Sequence, residues 1–451
     1  MEMRCFGASG QLGYGIPREA YFRGLEQKPA FVGCDMGSVD PGPYYLGSGT
    51  AAAGEISRRA DLELVLTTAR QANIPLTIGS AGTAGGEPHL AETVRLIEEI
   101  AAQHDLHFGM AVIHAEVEQD YVLRKLAAGQ VRPCGTVRDL TSDDVRSTIR
   151  MVGQMGNEPM MSALRAGADV VVAGRACDTS IFAALPLLHG FDPGLAMHQA
   201  KLIECASMCA EPGGRDAIIA TIHDDHFTVE SMNPARRCTP RSVAAHSLYE
   251  QPDPNRILEP GGQMELSKCS YVAVNERVTR VSGSRWLPSS EYTIKLEGVA
   301  SRGFRAISMG GSCDPTFIAT LGTSTAEVAK IVDRLFPDEA ASRAFSLRFR
   351  NYGTGEVLGS LAVDREWDPK EVFVVIDVVA DSAQLASSVC GVAKQYFLHY
   401  FYEGILATGG NIAIPFGPEV IPVGEVFHFN VYHLVTVDDP MELFPIEYRS
   451  L

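Results

Sequence analysis

Arg175, Cys177, Asp178, Thr179 and Ser180 fall within six positions, directly after the run Val170 to Val172 and Ala173-Gly174 and directly before an apolar stretch. A guanidinium, a carboxylate, a thiol and two hydroxyls gathered in this way suit an anionic ligand. Arginine presents a planar, bidentate fork to a carboxylate. A strand-to-helix turn adds free N–H groups and the positive end of a helix dipole. The structural alternative is that Asp178 caps the helix and Arg175 pairs with a surface carboxylate.

The same pattern of an apolar run ending in small or polar residues recurs upstream. Cys5-Phe-Gly-Ala-Ser-Gly10, Phe31-Val-Gly-Cys-Asp35 with Met36 to Gly42, Pro75-Leu-Thr-Ile-Gly-Ser-Ala-Gly82 and Met110-Ala-Val-Ile-His114 are four further examples. Short apolar runs bounded by glycine read as buried strands, and helical patterns lie between them at 55–73, 88–104, 118–128 and 157–167. Alternating strands and helices imply a parallel sheet, whose strand carboxyl ends carry the chemistry. His114, Glu116 and Glu118 alternate along extended chain and share one face, so they are candidate bases or metal ligands. Gly7, Gly10 and Gly13 do not form a dinucleotide fingerprint, and there is no phosphate-binding loop of the lysine type, so neither NAD nor ATP is expected.

The fold class expected is α/β: an N-terminal parallel, doubly wound sheet with Gly-rich strand-end turns over 1–215, followed by a smaller α+β domain over 216–451. The second domain is read from alternating strands at 217–222, 227–230, 271–275, 278–282, 292–297 and 304–308, from strands near 344–351 and 371–378, and from helices at 324–335 and 382–401. A last helix of the first domain is read at 195–211, with Cys205 and Cys209 one turn apart as buried thiols. His223-Asp-Asp-His226 is the most metal-like cluster, although four polar residues in a hairpin turn are ordinarily solvated.

The chain has 451 residues, a net charge of −17 and ten cysteines. The charge argues against nucleic acid or an anionic membrane surface as partner. Scattered cysteines fit reduced thiols and a cytoplasmic location, and no apolar run of transmembrane length occurs. The start, Met1 to Phe6, lacks the apolar core of a signal peptide.

The chain resembles the acyclic terpene utilisation AtuA family, a bacterial group named from terpenoid catabolism. The resemblance rests on Gly79 to Gly82 and Gly174-Arg-Ala-Cys-Asp-Thr-Ser180 in the first domain. In the second it rests on Ala244 to Glu250 with Asp253-Pro, Glu259-Pro-Gly-Gly262, Arg280 to Arg285, Tyr292 to Gly298, Gly409-Gly-Asn411, Pro415-Phe, Pro422-Val-Gly424 and Asn430 to His433. It implies an accessory catabolic enzyme encoded among acyl-CoA and dicarboxylate pathways. It also implies, for some members, a small partner protein of about 100 residues, the size of one small domain.

The expected function is that of a lyase, a hydro-lyase or isomerase acting on a small carboxylate or its CoA thioester. Asp178, with Asp35 or Glu116 and with His114 as a further base, would do the acid–base work. Arg175 would hold a substrate carboxylate, with Lys295 and Ser180 as further contacts. The turns of Ser9-Gly10 and Ser80-Ala81-Gly82 would supply oxyanion contacts. Lys295 and Glu297 share a strand face, which equally suits a surface ion pair. His246, Tyr249 and Arg285 are additional candidates, whereas His433 reads as a structural group. No cofactor is expected and no metal ligand is assigned, while a divalent metal stays open. A homo-oligomer is expected. The rivals are a hydrolase with Ser80 or Ser9 as nucleophile, although no G-x-S-x-G elbow is present, and a binding subunit that works only with a small partner.

Overall fold

The structure is a computed structural model that describes residues 1–249, 252–362, 368–406 and 408–451; Glu250, in one of the matched stretches, lies outside them. Five parallel strands form its centre: Glu2–Gly7, Phe31–Asp35, Leu76–Gly79, Gly109–Ile113 and Val170–Ala173. Across the sheet they lie in the order Glu2–Gly7, Phe31–Asp35, Leu76–Gly79, Val170–Ala173, Gly109–Ile113. Apolar residues run continuously along these strands because both faces are covered. Phe31, Ala111, Ile113, Val171 and Ala173 enter one hydrophobic core, and Val32, Cys34, Ile78, Val112 and Val172 enter another. Helices Glu55–Ala72, Glu87–His104, Gln119–Ala127 and Asn157–Arg165 stand where the helical periodicity puts them.

The sheet is mixed, however, and not purely parallel. Ile218–His223 pairs antiparallel with Glu2–Gly7, followed outward by Phe227–Ser231, Val278–Ser282 and Ser270–Ala273. On the far edge Ile446–Ser450 pairs antiparallel with Gly109–Ile113. The alternating pattern after residue 216 is that of half-buried strands, but these strands extend the first sheet and do not begin a second domain. Two compact units result, 1–300 with 429–451, and 301–428. The boundary expected at 215/216 thus falls inside the first unit.

In the second unit Phe345–Tyr352 and Val372–Ala380 form an antiparallel sheet with the stretch from Phe304 to Ser312. Helices Pro315–Leu335 and Ala383–Leu398 pack on it through Phe317, Val328, Ala386, Val389 and Phe397. The first of these helices begins well before the expected 324, because Asp314 caps it by accepting from Thr316 N–H and Pro315 suits the first helical position.

The helix expected over 195–211 is shorter. It runs Pro193–Ile203, and the chain then breaks, with Ala206 at φ +54° and a 3-10 turn Ala206–Cys209. Cys205 and Cys209 are therefore not one turn apart on a helix. His198 on this helix is fully buried, its Nδ1 2.7 Å from Ser284 Oγ and its Nε2 2.9 Å from Ser247 Oγ. Burial lowers its pKa to about 3 from an ordinary 6.5. A depressed basic pKa means that the unfolded chain binds a proton the native one refuses, so stability falls as pH drops from about 6.5 towards 3. The loss summed over that window is on the order of 5 kcal/mol. Urea midpoints measured against pH should show this acid limb, and His198→Gln should flatten it. No helix among the described residues is long and apolar enough to cross a membrane.

Candidate functional site

All five parallel strands point the same way, so Gly7, Asp35, Gly79, Ile113 and Ala173 end on one edge of the sheet. The turn after Leu76–Gly79 sits directly against the turn after Val170–Ala173. Ser80 N–H donates to the Gly174 carbonyl at 3.0 Å, Ala81 N–H to that of Ala173 at 3.0 Å, and Arg175 N–H to that of Gly85 at 3.1 Å. The approach is close enough to demand glycine: a Cβ on Gly85, at φ +68°, would lie 2.2 Å from Arg175 N. These bonds consume the N–H groups of Ser80 and Ala81, which are therefore unavailable as oxyanion donors. Those of Ser9, Gly10 and Gly82 enter no backbone hydrogen bond among the described residues.

Arg175 is almost completely buried. Its Nε donates to Glu297 Oε2 at 2.8 Å, and its Nη1 donates to the Ala176 carbonyl at 2.7 Å and to Ser80 Oγ at 3.1 Å. Its main carboxylate partner is thus Glu297, fully buried on the strand Tyr292–Ser312, and not a surface group. Lys295 Nζ lies 2.8 Å from the other Glu297 oxygen and 5.1 Å from the centre of the Tyr432 ring. Burial works to raise the Glu297 carboxyl, but Arg175 and Lys295 overcome it and hold the pKa below its usual value. Ser80 Oγ donates to the Ala176 carbonyl at 3.3 Å, which leaves it a support for Arg175 and not a nucleophile beside a base.

Asp178 occupies the first helical position of Asp178–Leu188; the cap residue is Cys177, without a side-chain cap bond. Its Oδ1 stands 3.5 Å from Arg175 Nη1, and the side chain is 37% exposed. Asp35, 8% exposed, takes one N–H, from Gly37 at 3.2 Å, while its Oδ1 has no partner among the described residues. Burial and the neighbouring Asp178 charge raise Asp35 well above the usual carboxylate range. Burial also raises Asp178, against the pull of Arg175, Lys201 and Lys295.

Two further groups complete the cluster. Helical i,i+3 spacing at the end of Pro193–Ile203 brings Glu204 to 2.6 Å from Lys201 Nζ, and burial pushes the Glu204 carboxyl up to about 8. Lys201 lies 5.1 Å over the Tyr249 ring, which stacks on His246 at 4.6 Å. Glu259 accepts from Cys177 Sγ at 2.6 Å and Thr179 Oγ1 at 3.0 Å. Burial keeps Cys177 a neutral thiol, and the Glu259 charge adds to the effect. Glu204 and Lys201 are not singled out in the sequence, because nothing local to 201–204 shows that this helix end is buried. Glu259 was visible only as part of a matched stretch.

His114 and Glu116 are not brought to this cluster. Gly109–Ile113 lies beyond Val170–Ala173, away from Asp35. There His114 Nδ1 sits 2.9 Å from Glu87, and Glu116 accepts from Glu87 N–H at 2.8 Å and pairs with Arg150 at 3.3 Å. Glu116, Glu118 and Arg150 line a separate cleft of about 300 Å³. His223 and His226 stack at 4.5 Å, and no group of three or more His, Cys, Asp or Glu able to hold a metal occurs among the described residues. His433 is structural: its Nδ1 accepts from Tyr432 N–H at 3.0 Å, and its Nε2 lies 2.9 Å from the Arg138 carbonyl.

Fold and site together define a mixed α/β protein with a buried, carboxyl-rich polar cluster at the ends of its parallel strands. The chain belongs to the acyclic terpene utilisation AtuA family, whose family model matches residues 57–421. That membership suggests a catabolic role in terpene utilisation. No curated protein and no solved structure matches the chain.

Proposed function

We propose that the protein is an acid–base lyase or isomerase acting on a small carboxylate or its CoA thioester. The observation that carries this reading is that Asp35 and Asp178 stand at the same carboxyl-end edge of the parallel strands in different surroundings, Asp35 enclosed with one oxygen free among the described residues and Asp178 partly exposed beside Arg175. Two carboxyls set in different surroundings are the arrangement that an acid and a base require. Arg175 pairs with Glu297 at 2.8 Å and with Asp178 at 3.5 Å, and Lys295 shares Glu297. Arg175 is spent on internal partners, which leaves Lys295 and the N-terminus of Asp178–Leu188 to meet the substrate anion. The hydrolase reading loses support, because Ser80 is buried and tied to Arg175 and Ala176.

The test is deuterium entry at the carbon next to the carbonyl. The purified chain would be incubated in D2O with short branched and unbranched enoyl- and 3-hydroxyacyl-CoA thioesters and their free acids. Exchange catalysed by the chain alone supports the reading. Exchange only after a small partner protein is added, or none on any of these probes, overturns it in favour of a binding subunit.

A further inference from the structure

The edge that carries Asp35 holds more unsatisfied polar groups than a finished interior tolerates. Ser9 Oγ, Asp35 Oδ1 and Ser180 Oγ are each more than nine-tenths buried and have no hydrogen-bond partner among the described residues. Buried hydroxyls and carboxyls are ordinarily hydrogen-bonded, so three left without a partner at one edge point to a bound polar group that satisfies them. The parallel register ends with Gly7 paired to Gly33, and Ser9 lies in the turn that follows. Ala8 N–H donates to the Gly33 carbonyl at 3.2 Å and Leu12 N–H to the Asp35 carbonyl at 2.8 Å, so the turn that carries Ser9 and Gly10 is anchored at both ends on the strand Phe31–Asp35. Gly10 lies against the Cys205 carbonyl, 3.2 Å from where its Cβ would be, so the same loop also adjoins Glu204.

The two aspartates differ in access. Asp178 is 37% exposed and stands beside Arg175, whereas Asp35 is enclosed, and its carbonyl anchors the turn that carries the unpartnered Ser9. An exposed carboxylate beside a cation suits removal of a carbon-bound proton next to an anionic or carbonyl group. An enclosed carboxyl beside a hydroxyl suits a neutral oxygen of the substrate.

We propose that Asp35 and Ser9 form the subsite for a substrate hydroxyl, and that the protein is a hydro-lyase of 3-hydroxy acids or 3-hydroxyacyl thioesters. This rests on the acid–base reading above and narrows it. Asp178 takes the proton from C2, and the C2–H electron pair becomes the C2–C3 double bond. The C3–O bond breaks, its electron pair stays on oxygen, and the Asp35 carboxyl proton joins that oxygen to release water. Solvent then returns a proton to Asp35 and accepts one from Asp178, so the reaction is redox-neutral. Ser9 holds the departing oxygen in line with Asp35.

The test is binding, which needs no turnover. Calorimetry would compare 3-hydroxybutyryl-CoA with butyryl-CoA, which lacks only the hydroxyl. The wild type is expected to bind the hydroxylated probe at least tenfold more tightly, as a site built around a hydroxyl penalises its absence. Ser9→Ala and Asp35→Asn should each remove most of that preference. Ser9→Ala keeps the proposal testable if Asp35→Asn fails to fold. Equal affinity for the two probes in the wild type, no binding of the hydroxylated probe, or a preference that survives Ser9→Ala overturns the hydroxyl subsite. An isomerase or a different lyase would still exchange deuterium while showing no such preference, so the two readings fail separately.

Discussion

Arg175→Met is expected to destabilise the protein by about 3–5 kcal/mol, because it takes the guanidinium from the fully buried Glu297 and leaves that carboxylate only Lys295 as a cation. The guanidinium and the carboxylate are 3% and 0% exposed, and their contact is 2.8 Å. Glu297→Gln should cost less, since an amide retains one acceptor for Arg175. The double variant Arg175→Met/Glu297→Met should recover much of the loss, as apolar replacement of a whole buried pair is often near neutral. Lys295 limits that recovery by losing its own partner. The pH dependence follows from the direction of the Glu297 shift. A carboxyl held below its usual value of 4.5 contributes stability that is present above that pH and lost as pH falls through the native value. Guanidinium midpoints of the single and double variants, taken at pH 7 and pH 4, check both statements. Arg175→Lys is no mild change here, because lysine lacks the fork that reaches Glu297, Ser80 and the Ala176 carbonyl together.

Asp178→Asn should lower turnover by about 10²–10⁴-fold, the usual contribution of a general acid or base, with the fold intact. The reasons for an intact fold are local. Asp178 is not the helix cap, and its carboxyl is held above its ordinary pKa by burial. A raised acidic pKa means that stability is present at low pH and lost as pH rises through the native value. The amide variant escapes that loss, so its melting temperature at pH 8 should equal or exceed the wild type's. A large fall in melting temperature with turnover unchanged would mark Asp178 as structural. His114→Ala, in the separate cluster, is the control and should leave turnover near the wild-type value.

Much of this was legible in local sequence because it depends on local physics. Continuous apolar runs and glycine endings identify the five parallel strands, and periodicity finds the helices between them. The cluster of Arg175, Asp178 and Ser80 follows from strands that share a direction. What local sequence does not carry is neighbour order. Nothing within 109–118 says that its strand lies beyond Val170–Ala173, so His114 and Glu116 looked like members of the same site. Nothing near Glu204 announces that the helix ends at Ile203, because the break at Ala206 depends on packing and not on a glycine or proline. Lys295 was readable as either a surface pair or a site residue; only the pairing of its strand with Arg150–Gln154 shows that Glu297 reaches Arg175.

The pairing of Ile446–Ser450 with Gly109–Ile113 has a bearing on how the chain is made. On the ribosome Gly109–Ile113 emerges long before its outer neighbour, with the whole of 301–428 translated in between. Throughout that interval one row of its backbone N–H and C=O groups stays open, a template for intermolecular strand addition. The strand reads Gly-Met-Ala-Val-Ile, without a charge to discourage such pairing. Nascent chains therefore stay exposed to aggregation until Ile446–Ser450 has emerged and paired. Loss of the last six residues should show first as insolubility during expression, before any effect on the distant carboxyl cluster.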